Sequence, residues 1–173
     1  MQTSRRKASW KIVTAALGAS LTVTGTAVSA IAGQPVTAVT IEERIQGSDL
    51  VVAGKVREIR PMHYRSPHGD DLIVSHVTLD VSEKLKGEDR ASVDMIVEGG
   101  ALDGVTLRVS DQPVVQRDDE LVAFLNETPD GFKPHRRGLG VLRLEPGQAP
   151  GSKRVMNSSL TLDMIREKAR TAQ

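Results

Sequence analysis

The 173-residue chain contains no cysteine and few aromatic residues: one tryptophan, one tyrosine and two phenylalanines. Without cysteine there is no disulfide bond, thiolate nucleophile or thiol-linked lipid, so the fold must depend on core packing. Proteins that hold single-stranded nucleic acid usually combine stacked aromatic rings with a positively charged groove. The scarcity of rings therefore argues against a nucleic-acid partner.

Two catalytic motifs are absent as well. The sequence has no His-Glu-x-x-His pair, which places two zinc ligands on one helix, and no Gly-x-Ser-x-Gly elbow, which exposes a nucleophilic serine. Serines that lie near histidines or aspartates in the chain do so without any recognised spacing. We therefore expect no catalytic residue and no cofactor, and we interpret the chain as a non-enzymatic binding or interaction module.

The first 32 residues have the pattern of a secretory signal peptide. Four basic residues lie between positions 5 and 11, no charge follows as far as residue 32, and the small residues Ala30 and Ala32 fit the positions that signal peptidase reads. We predict cleavage after Ala32 and export to the periplasm or outside the cell. Cleavage after Ala30 and retention as a membrane anchor are the alternatives, and the export route stays open.

Cleavage would change the charge of the protein. The full chain has 23 basic and 22 acidic residues, and the signal peptide holds four of the basic and none of the acidic ones. Residues 33–173 therefore carry 23 − 4 = 19 basic and 22 acidic residues, a net charge of −3. A net acidic domain lacks the electrostatic attraction that nucleic-acid binding requires. We also expect no membrane span after cleavage.

Two short helices are predicted, one at each end of the mature chain. Thr40 and Glu43 form a capping box for a helix of about two turns that ends at Gly47. Near the C-terminus, Thr161 caps a second helix whose last turns are basic, as the helix dipole favours. The apolar stripe that would dock this second helix consists of Leu162, Ile165 and Ala169.

Between the helices, apolar residues alternate or run continuously over short stretches, as β-strands do. The first strand is predicted from about Leu50 to Ile59, and Gly54 within it indicates a bulge or a close approach of another backbone. Residues 61–71 contain prolines, a glycine and acidic residues, so we predict a loop there.

Residues 76–100 give the clearest strand pattern in the chain. Apolar and polar residues alternate in two segments, and each segment is predicted to present one face to the core. The predicted inward residues are Val77, Leu79, Val81, Val93, Met95 and Val97, and the predicted outward residues of the first segment are Thr78, Asp80 and Ser82.

The stretch "KLKGEDRA" joins these two segments and carries charges of both signs around Gly87. Glycine supplies the backbone freedom that a tight hairpin turn needs, and exposed mixed charges serve solubility more often than recognition. We interpret the stretch as a hairpin turn and expect alanine at Lys86 or Glu88 to be nearly neutral for stability.

The remaining patterns complete a β-rich domain. "ELVAFL" is a continuous apolar run that predicts a strand buried on both faces, while "GFKPHRR" and "LGVLRL" predict a last, weaker pair of strands. Six or seven short strands with few intervening helices imply antiparallel pairing. We predict a mainly β fold, a small antiparallel barrel or sandwich (OB-like), as a single domain over residues 33–173.

Several segments resemble a known family. "SDLVVAGKV", "VTLDVSEKLKG", "DDELVAFL" and "GLGVLRL" are similar to a β-domain of exported bacterial proteins, which in some of them precedes a matrixin-type metalloprotease. The resemblance covers about residues 40–170 and rests on strand and turn patterns. It implies the fold and transfers no catalytic residue, because the protease motif is missing. A looser likeness to OB and netrin-like barrels rests on shape alone.

Four residues of the predicted loop are candidate metal ligands: His63, His68, Asp70 and Asp71. Imidazole and carboxylate groups bind divalent metals, and loops often carry function. A metal-dependent hydrolase that uses the loop from His63 to Asp71 is therefore the alternative to a binding module. The spacing matches no established ligand motif, and a polar hairpin tip would have the same composition, so we assign no metal.

The segment "KPHRRG" is the most basic part of the mature chain and contains Lys133, His135, Arg136 and Arg137. Such a segment can contact an anionic partner, although it is also typical of a solvated loop. We take it as the candidate partner-binding segment. The expected partner is a protein or a glycan of the cell envelope or the extracellular space.

The signal-peptide assignment predicts the N-terminus of the exported protein. N-terminal sequencing of protein from the periplasmic or secreted fraction should begin at Gly33, because signal peptidase cuts after the second small residue of its site. A chain that begins at Met1 and stays in the membrane fraction would contradict this prediction.

Overall fold

The computed structural model describes residues 39–66 and 68–172, so the predicted signal peptide and its cleavage position Ala32 lie outside the described residues. The described residues all fall within one compact unit. No helix among them is long and apolar enough to cross a membrane. The elements are α1 (Ile41–Gln46), β1 (Leu50–Arg65), β2 (Asp71–Lys86), β3 (Ser92–Glu98), β4 (Gly100–Leu102), β5 (Val105–Leu107), β6 (Glu120–Thr128), β7 (Gly131–Pro134), a 3₁₀ turn (Arg137–Gly140), β8 (Val141–Pro146), β9 (Lys153–Val155) and α2 (Leu162–Thr171).

Five strands close into a ring. β1 pairs with β2, β2 with β3, β3 with β7, β7 with β6, and β6 again with β1. The contact between β3 and β7 is parallel and consists of Met95 opposite Phe132, while the other strand pairings in the described part of the chain are antiparallel. The mainly β, OB-like barrel predicted from the sequence is therefore confirmed, with one parallel contact added.

Two hydrophobic cores lie on opposite sides of β1 and β6. Successive side chains of a strand point to opposite faces, so a continuous apolar run supplies both cores at once. This confirms the prediction that "ELVAFL" forms a strand buried on both faces. The core inside the ring contains Leu50, Val52, Val56, Val77, Leu79, Val93, Met95, Val97, Leu121, Ala123 and Leu125. The core beneath the helices contains Ile45, Val51, Ala53, Leu85, Val122, Phe124, Leu144, Val155, Leu162, Ile165 and Ala169.

Both predicted helices and their caps are present. The Thr40 hydroxyl accepts a hydrogen bond from the backbone N–H of Glu43, and the Glu43 carboxylate accepts one from the backbone N–H of Thr40. The Thr161 hydroxyl caps α2 by accepting a hydrogen bond from the backbone N–H of Met164. An ion pair between Lys168 and Glu42 joins the two helices. The helices thus cover the outer core as a unit.

Strand β1 is longer than predicted. It continues to Arg65, and the loop predicted for residues 61–71 is a short turn between Arg65 and Asp71. Its pairing with β6 ends at Lys55, whereas its pairing with β2 continues to the tip of the hairpin. Proline lacks a backbone donor and is accepted in a strand with a neighbour on only one side, which explains Pro61 in this part of β1.

The glycine inside β1 marks a point of close contact. A Cβ at Gly54 would lie 2.3 Å from the carbonyl oxygen of Asp80 on β2. The register of the β1–β2 pair also shifts between Ala53 and Gly54. Both predictions for Gly54, a bulge and a close backbone approach, are confirmed, and the bend they produce lets β1 pair with β2 and β6 in one ring.

The turn between β2 and β3 is confirmed as a hairpin connection. Its exposed ion pairs join Lys84 to Asp89 at 3.0 Å and Arg90 to Glu88 at 3.1 Å. Thr78 points outward as predicted, but its side chain is buried, and its hydroxyl donates a hydrogen bond to the Asp94 carboxylate. A polar residue on the outward face can therefore be covered by its neighbour on the next strand.

Lys86 connects that turn to the end of α1. Its ammonium group donates hydrogen bonds to the backbone oxygens of Ile45, Gln46 and Ser48, at 2.8, 3.3 and 2.6 Å. These oxygens lie at and just beyond the C-terminus of α1, where carbonyl groups lack partners within the helix. The expectation that Lys86 is dispensable therefore does not fit the structure.

The predicted pair of weaker strands is also arranged differently. β7 and β8 do not pair with each other, since each pairs with β6, at its second and first half respectively. The 3₁₀ turn and the residues before it separate them. The two strands therefore form one interrupted partner of β6, and the interruption carries the basic segment.

The two lysines of the β2–β3 hairpin should differ in their effect on stability. We expect Lys86→Ala to lower the free energy of unfolding by about 1–2 kcal/mol, because it leaves several carbonyl groups without a charged donor. Lys84→Ala is the matched control and should cost less than about 0.5 kcal/mol, because its ion pair is exposed. Chemical denaturation measures both; equal losses would contradict the assigned role of Lys86.

Candidate functional site

A groove of about 420 Å³ lies on the outer face of β2 and β3. We call it the β2–β3 groove. One wall is formed by side chains of these strands, three of them aliphatic and the others His76 and Glu98, and the tip of the β1–β2 hairpin contributes the ring of Tyr64. The opposite rim is formed by β7 and the basic segment. The lining residues used below are Tyr64, Leu72, Val74, Ile96, Glu98, Gln112, Lys133, Arg136 and Arg137.

The alternation of side chains explains why these residues share one face. Val77 and Met95 point into the ring, so residues at even positions of β2 and β3 point away from it. Leu72, Val74 and Ile96 occupy such even positions. Tyr64 lies directly opposite Leu72 in the β1–β2 register and therefore joins the same face.

Two cations of the basic segment are held by acidic neighbours. Lys133 pairs with Asp130 at 3.0 Å. Arg137 pairs with Glu98 at 2.8 Å and with Asp111 at 2.5 Å. Burial acts to lower the pKa of Arg137, but its hydrogen bonds to these two carboxylates outweigh burial and raise the pKa above its usual value. The charges of both side chains are thus largely balanced within the protein.

Arg136 differs from these two residues. It is exposed, lines the groove, and forms no hydrogen bond or ion pair through its guanidinium group with any described residue. Its backbone is left-handed, with φ of 49°. This conformation is unusual for a residue with a Cβ. Arg136 is therefore the cation of the segment that is available to a partner.

His135 turns away from the groove toward α1. Its Nδ1 lies 2.7 Å from the Asn126 side-chain oxygen, and the Asn126 amide donates to the backbone oxygen of Gly47 at 2.9 Å. The second bond fixes the amide orientation, so Nδ1 is the protonated nitrogen of a neutral ring. Burial, followed by the positive charges of Arg136 and Arg44, lowers the pKa of His135. His135 thus supports the fold instead of joining the three cations at the groove.

Gln112 also lines the groove. Its side-chain oxygen Oε1 is buried and has no hydrogen-bond partner among the described residues. It belongs to a strap, residues 108–119, that leads from β5 back to β6. The strap is attached to the 3₁₀ turn by the Gly138 N–H, which donates to the Asp111 carbonyl at 2.7 Å, and by the ion pair of Asp111 with Arg137.

A second cavity of about 370 Å³ lies behind this strap. Its walls come from the strap, from the inner face of β2 and β3, and from the β4–β5 hairpin. A Cβ at Gly100 would lie 2.5 Å from the Ser75 hydroxyl oxygen, so this hairpin packs tightly against β2. Glu98 and Gln112 line both cavities, which places them in a shared wall.

The candidate metal ligands are not brought together as a set. His63 lies in β1, and its Nε2 is 3.3 Å from a carboxylate oxygen of Asp103 in the β4–β5 turn. The other three candidates lie at the hairpin tip: the His68 backbone N–H and the Asp70 carboxylate bond to Ser66, and Asp71 begins β2. Among residues 39–66 and 68–172 there is no group of three or more metal-binding side chains. The metal-dependent hydrolase remains a hypothesis without a ligand set there.

Comparisons with protein-family models, with curated proteins and with solved structures give no match to this chain. The resemblance to the exported bacterial β-domain therefore stays a prediction. What is known of the groove comes from its own geometry.

The sequence contained a signal for the groove that simple alternation hides. Leu72 and Val74 flank Ile73, and Ile96 lies between Met95 and Val97, so apolar residues occupy positions where a solvent-facing strand would carry polar ones. These aliphatic residues lie beside the basic segment because β3 contacts β7 and closes the ring. That contact joins residues distant in the chain and leaves no local pattern.

The lowered pKa of His135 predicts a pH dependence of stability. The unfolded chain binds this proton more readily than the folded one, so the stabilising contribution of the neutral ring is complete above the ordinary histidine pKa of about 6.5 and is lost as the pH falls from that value through the lowered pKa of the folded state. Thermal unfolding between neutral and mildly acidic pH measures it. His135→Gln should flatten the pH dependence, whereas His68→Gln, in the exposed hairpin tip, should retain it; equal profiles for both variants would contradict the role of His135.

Proposed function

We propose that this protein is an exported binding module that holds its partner in the β2–β3 groove. The observation that carries the proposal is a largely apolar groove on the outer face of the barrel, bordered by Arg136, a cation without an ion-pair partner in the described part of the chain. Concave surfaces that are mostly apolar and contain a few placed polar groups are the usual form of a ligand site.

The partial exposure of several apolar side chains on this face supports a binding role. Leu72 and Ile96 are half-buried, and Met62, which faces Val74 across the hairpin, is 47 % exposed. Covering neighbouring apolar side chains with a partner removes them from water and lowers the free energy. Such exposed patches often mark interaction sites. The position agrees by analogy with OB-type barrels, which bind ligands on the face of their second and third strands.

Export is supported by the pattern of residues 1–32, with its basic start, uncharged stretch and small residues at the cleavage position. The expected partner is then a molecule of the envelope or the extracellular space. The protein would act by binding, without chemistry of its own.

The groove can be tested with two substitutions that each introduce an arginine, one inside the groove and one outside it. Leu72→Arg fills the apolar wall, while Val105→Arg is the matched control because Val105 is 60 % exposed on β5 and does not line the groove. Circular dichroism and thermal melting establish that both variants fold. In a crosslinked pull-down from envelope extract, we expect the native chain and Val105→Arg to capture the same partners and Leu72→Arg to lose them.

Two results would overturn the proposal. One is capture of the same partners by Leu72→Arg, which would place the contact elsewhere on the surface. The other is the absence of any partner that the native chain retains above background.

A further inference from the structure

We infer that the second cavity, the one behind the strap, binds an aliphatic chain that ends in a carboxylate, which is the chemistry of a medium-length fatty acid. This inference goes beyond the proposed function, because the cavity is a second site with a ligand of its own. Its floor belongs to the inner core, and its mouth carries a cation without an ion-pair partner in the described part of the chain. Floor and mouth thus fit the two ends of an amphiphile.

The floor of the cavity is formed by the core inside the ring. Val77 and Val97 line the cavity, are 1 % and 6 % exposed, and belong to that core. Ile59 on β1 and Val115 on the strap also line the cavity and pack against the same core. The volume of about 370 Å³ is near the lower end of the range of small-molecule sites, about 300–1,000 Å³. A ligand that reaches the floor therefore contacts aliphatic side chains.

The polar groups in the walls offer little to a ligand that enters the cavity. The Ser75 hydroxyl donates a hydrogen bond to the Gly99 carbonyl oxygen at 2.7 Å. The Oε1 atom of Gln112 is buried and has almost no accessible surface. A polar ligand group at the floor would lose its water without gaining a partner, which is costly. The inserted part of the ligand is therefore a hydrocarbon.

The composition of the lining favours a chain over a ring. No aromatic residue is among the described residues that line the cavity. Aromatic and sugar rings gain much of their binding energy from stacking on flat side chains, so a ring would find no such surface here. A flexible aliphatic chain needs only apolar contacts, which these walls supply.

The mouth of the cavity carries the charge that selects the head group. Val114 is 72 % exposed and Arg108 is exposed, so these two lining residues mark the end that faces solvent. The other charged residue of the described lining is Glu98, whose carboxylate accepts a hydrogen bond from Arg137 at 2.8 Å. Arg137 also pairs with Asp111, which does not line the cavity.

Arg108 is free to bind an anionic head group. Its side chain forms no hydrogen bond or ion pair with any described residue. A guanidinium group binds a carboxylate through two parallel hydrogen bonds, which gives both direction and strength. One such group at the mouth matches a head with a single negative charge. The ligand that fits both ends is an aliphatic carboxylate.

The test compares ligands that differ in one feature each. Octanoate is the probe, hexanoate and decanoate change the length of its chain, and octanamide and octylamine replace its carboxylate by a neutral and a cationic head. Calorimetry measures affinity at neutral pH, below the concentrations at which the ligands form micelles. Nuclear magnetic resonance of labelled methyl groups locates the ligand. Val77 and Val97 report on this cavity, and Leu72 and Val74 report on the β2–β3 groove.

We expect octanoate to shift the methyl resonances of Val77 and Val97. Each added methylene should tighten binding about fourfold until the cavity is filled, because it removes one more apolar group from water. Octanoate should bind about fivefold more tightly than octanamide or octylamine, since only the carboxylate can pair with Arg108.

The role of Arg108 is tested by substitutions on the strap. Arg108→Gln should remove the preference for octanoate over octanamide, and Arg108→Lys should retain most of it. Arg117→Gln is the matched control, because Arg117 is exposed on the same strap and does not line the cavity, so this variant should bind like the native chain. Circular dichroism and thermal melting establish that the variants fold.

Several results would overturn the inference: no saturable binding of octanoate, equal affinity for octanoate and octanamide, tighter binding of octylamine, or shifts confined to Leu72 and Val74. Equal losses in Arg108→Gln and Arg117→Gln would contradict the assigned head-group contact. Leu72→Arg should leave octanoate binding unchanged, because Leu72 does not line this cavity. The fatty-acid site and the partner groove can therefore fail independently of each other.

Discussion

The apolar run of β6 belongs to two cores at once, and the architecture depends on that double burial. Val122 and Phe124 face the helices, whereas Leu121, Ala123 and Leu125 face the inside of the ring. Each fully buried aliphatic or aromatic side chain contributes roughly 1.5–3 kcal/mol relative to exposure. Because β6 also pairs with β1 on one edge and with β7 and β8 on the other, it fixes the positions of all three. The basic segment lies where β7 gives way to β8, so its place at the groove follows from β6.

The groove in turn depends on ion pairs that connect separate parts of the chain. Arg137 lies between Glu98 on β3 and Asp111 on the strap, and both of its partners are acidic. These contacts tie the strap to the barrel and set the position of Gln112. Arg136, the preceding residue, forms no ion pair with any described residue. A local arrangement of four charged residues thus determines both the shape and the electrostatic character of one rim.

Local features of the fold could be predicted from the sequence because their causes are local. The capping box of Thr40 and Glu43 and the alternation around Leu79 depend on neighbours within a few residues. The contact of Lys86 with the end of α1 joins residues about 40 positions apart, and no pattern in the sequence indicates it. Pro61 favoured a loop locally, but continued pairing with β2 keeps it in a strand.

The candidate site was predictable only in part, for the same reason. The basic segment is contiguous and its composition is visible, so three of its four candidate residues were found at the groove. Their separate roles were not predicted, since the pairing of Arg137 with Glu98 joins residues 39 positions apart and depends on the folded ring. The aliphatic wall comes from two strands that the pattern predicts correctly. That this wall borders a groove becomes evident only in the folded structure, where the outward residues of both strands share one face.

The long arm formed by β1 and β2 has a consequence for the behaviour of the protein at high concentration. Beyond Val56, whose backbone still bonds to Asp118 and Asp119, this edge of β1 is not paired with β6. An open strand edge can recruit the same edge of a second molecule into a growing aggregate. Pro61 removes a backbone donor from β1, and the charged side chains of Arg57, Glu58 and Arg60 precede it. Sheet extension would have to desolvate these charges without a full set of backbone hydrogen bonds. The edge of β1 is thereby protected against intermolecular sheet growth. The outer face of the arm remains accessible and forms part of the groove.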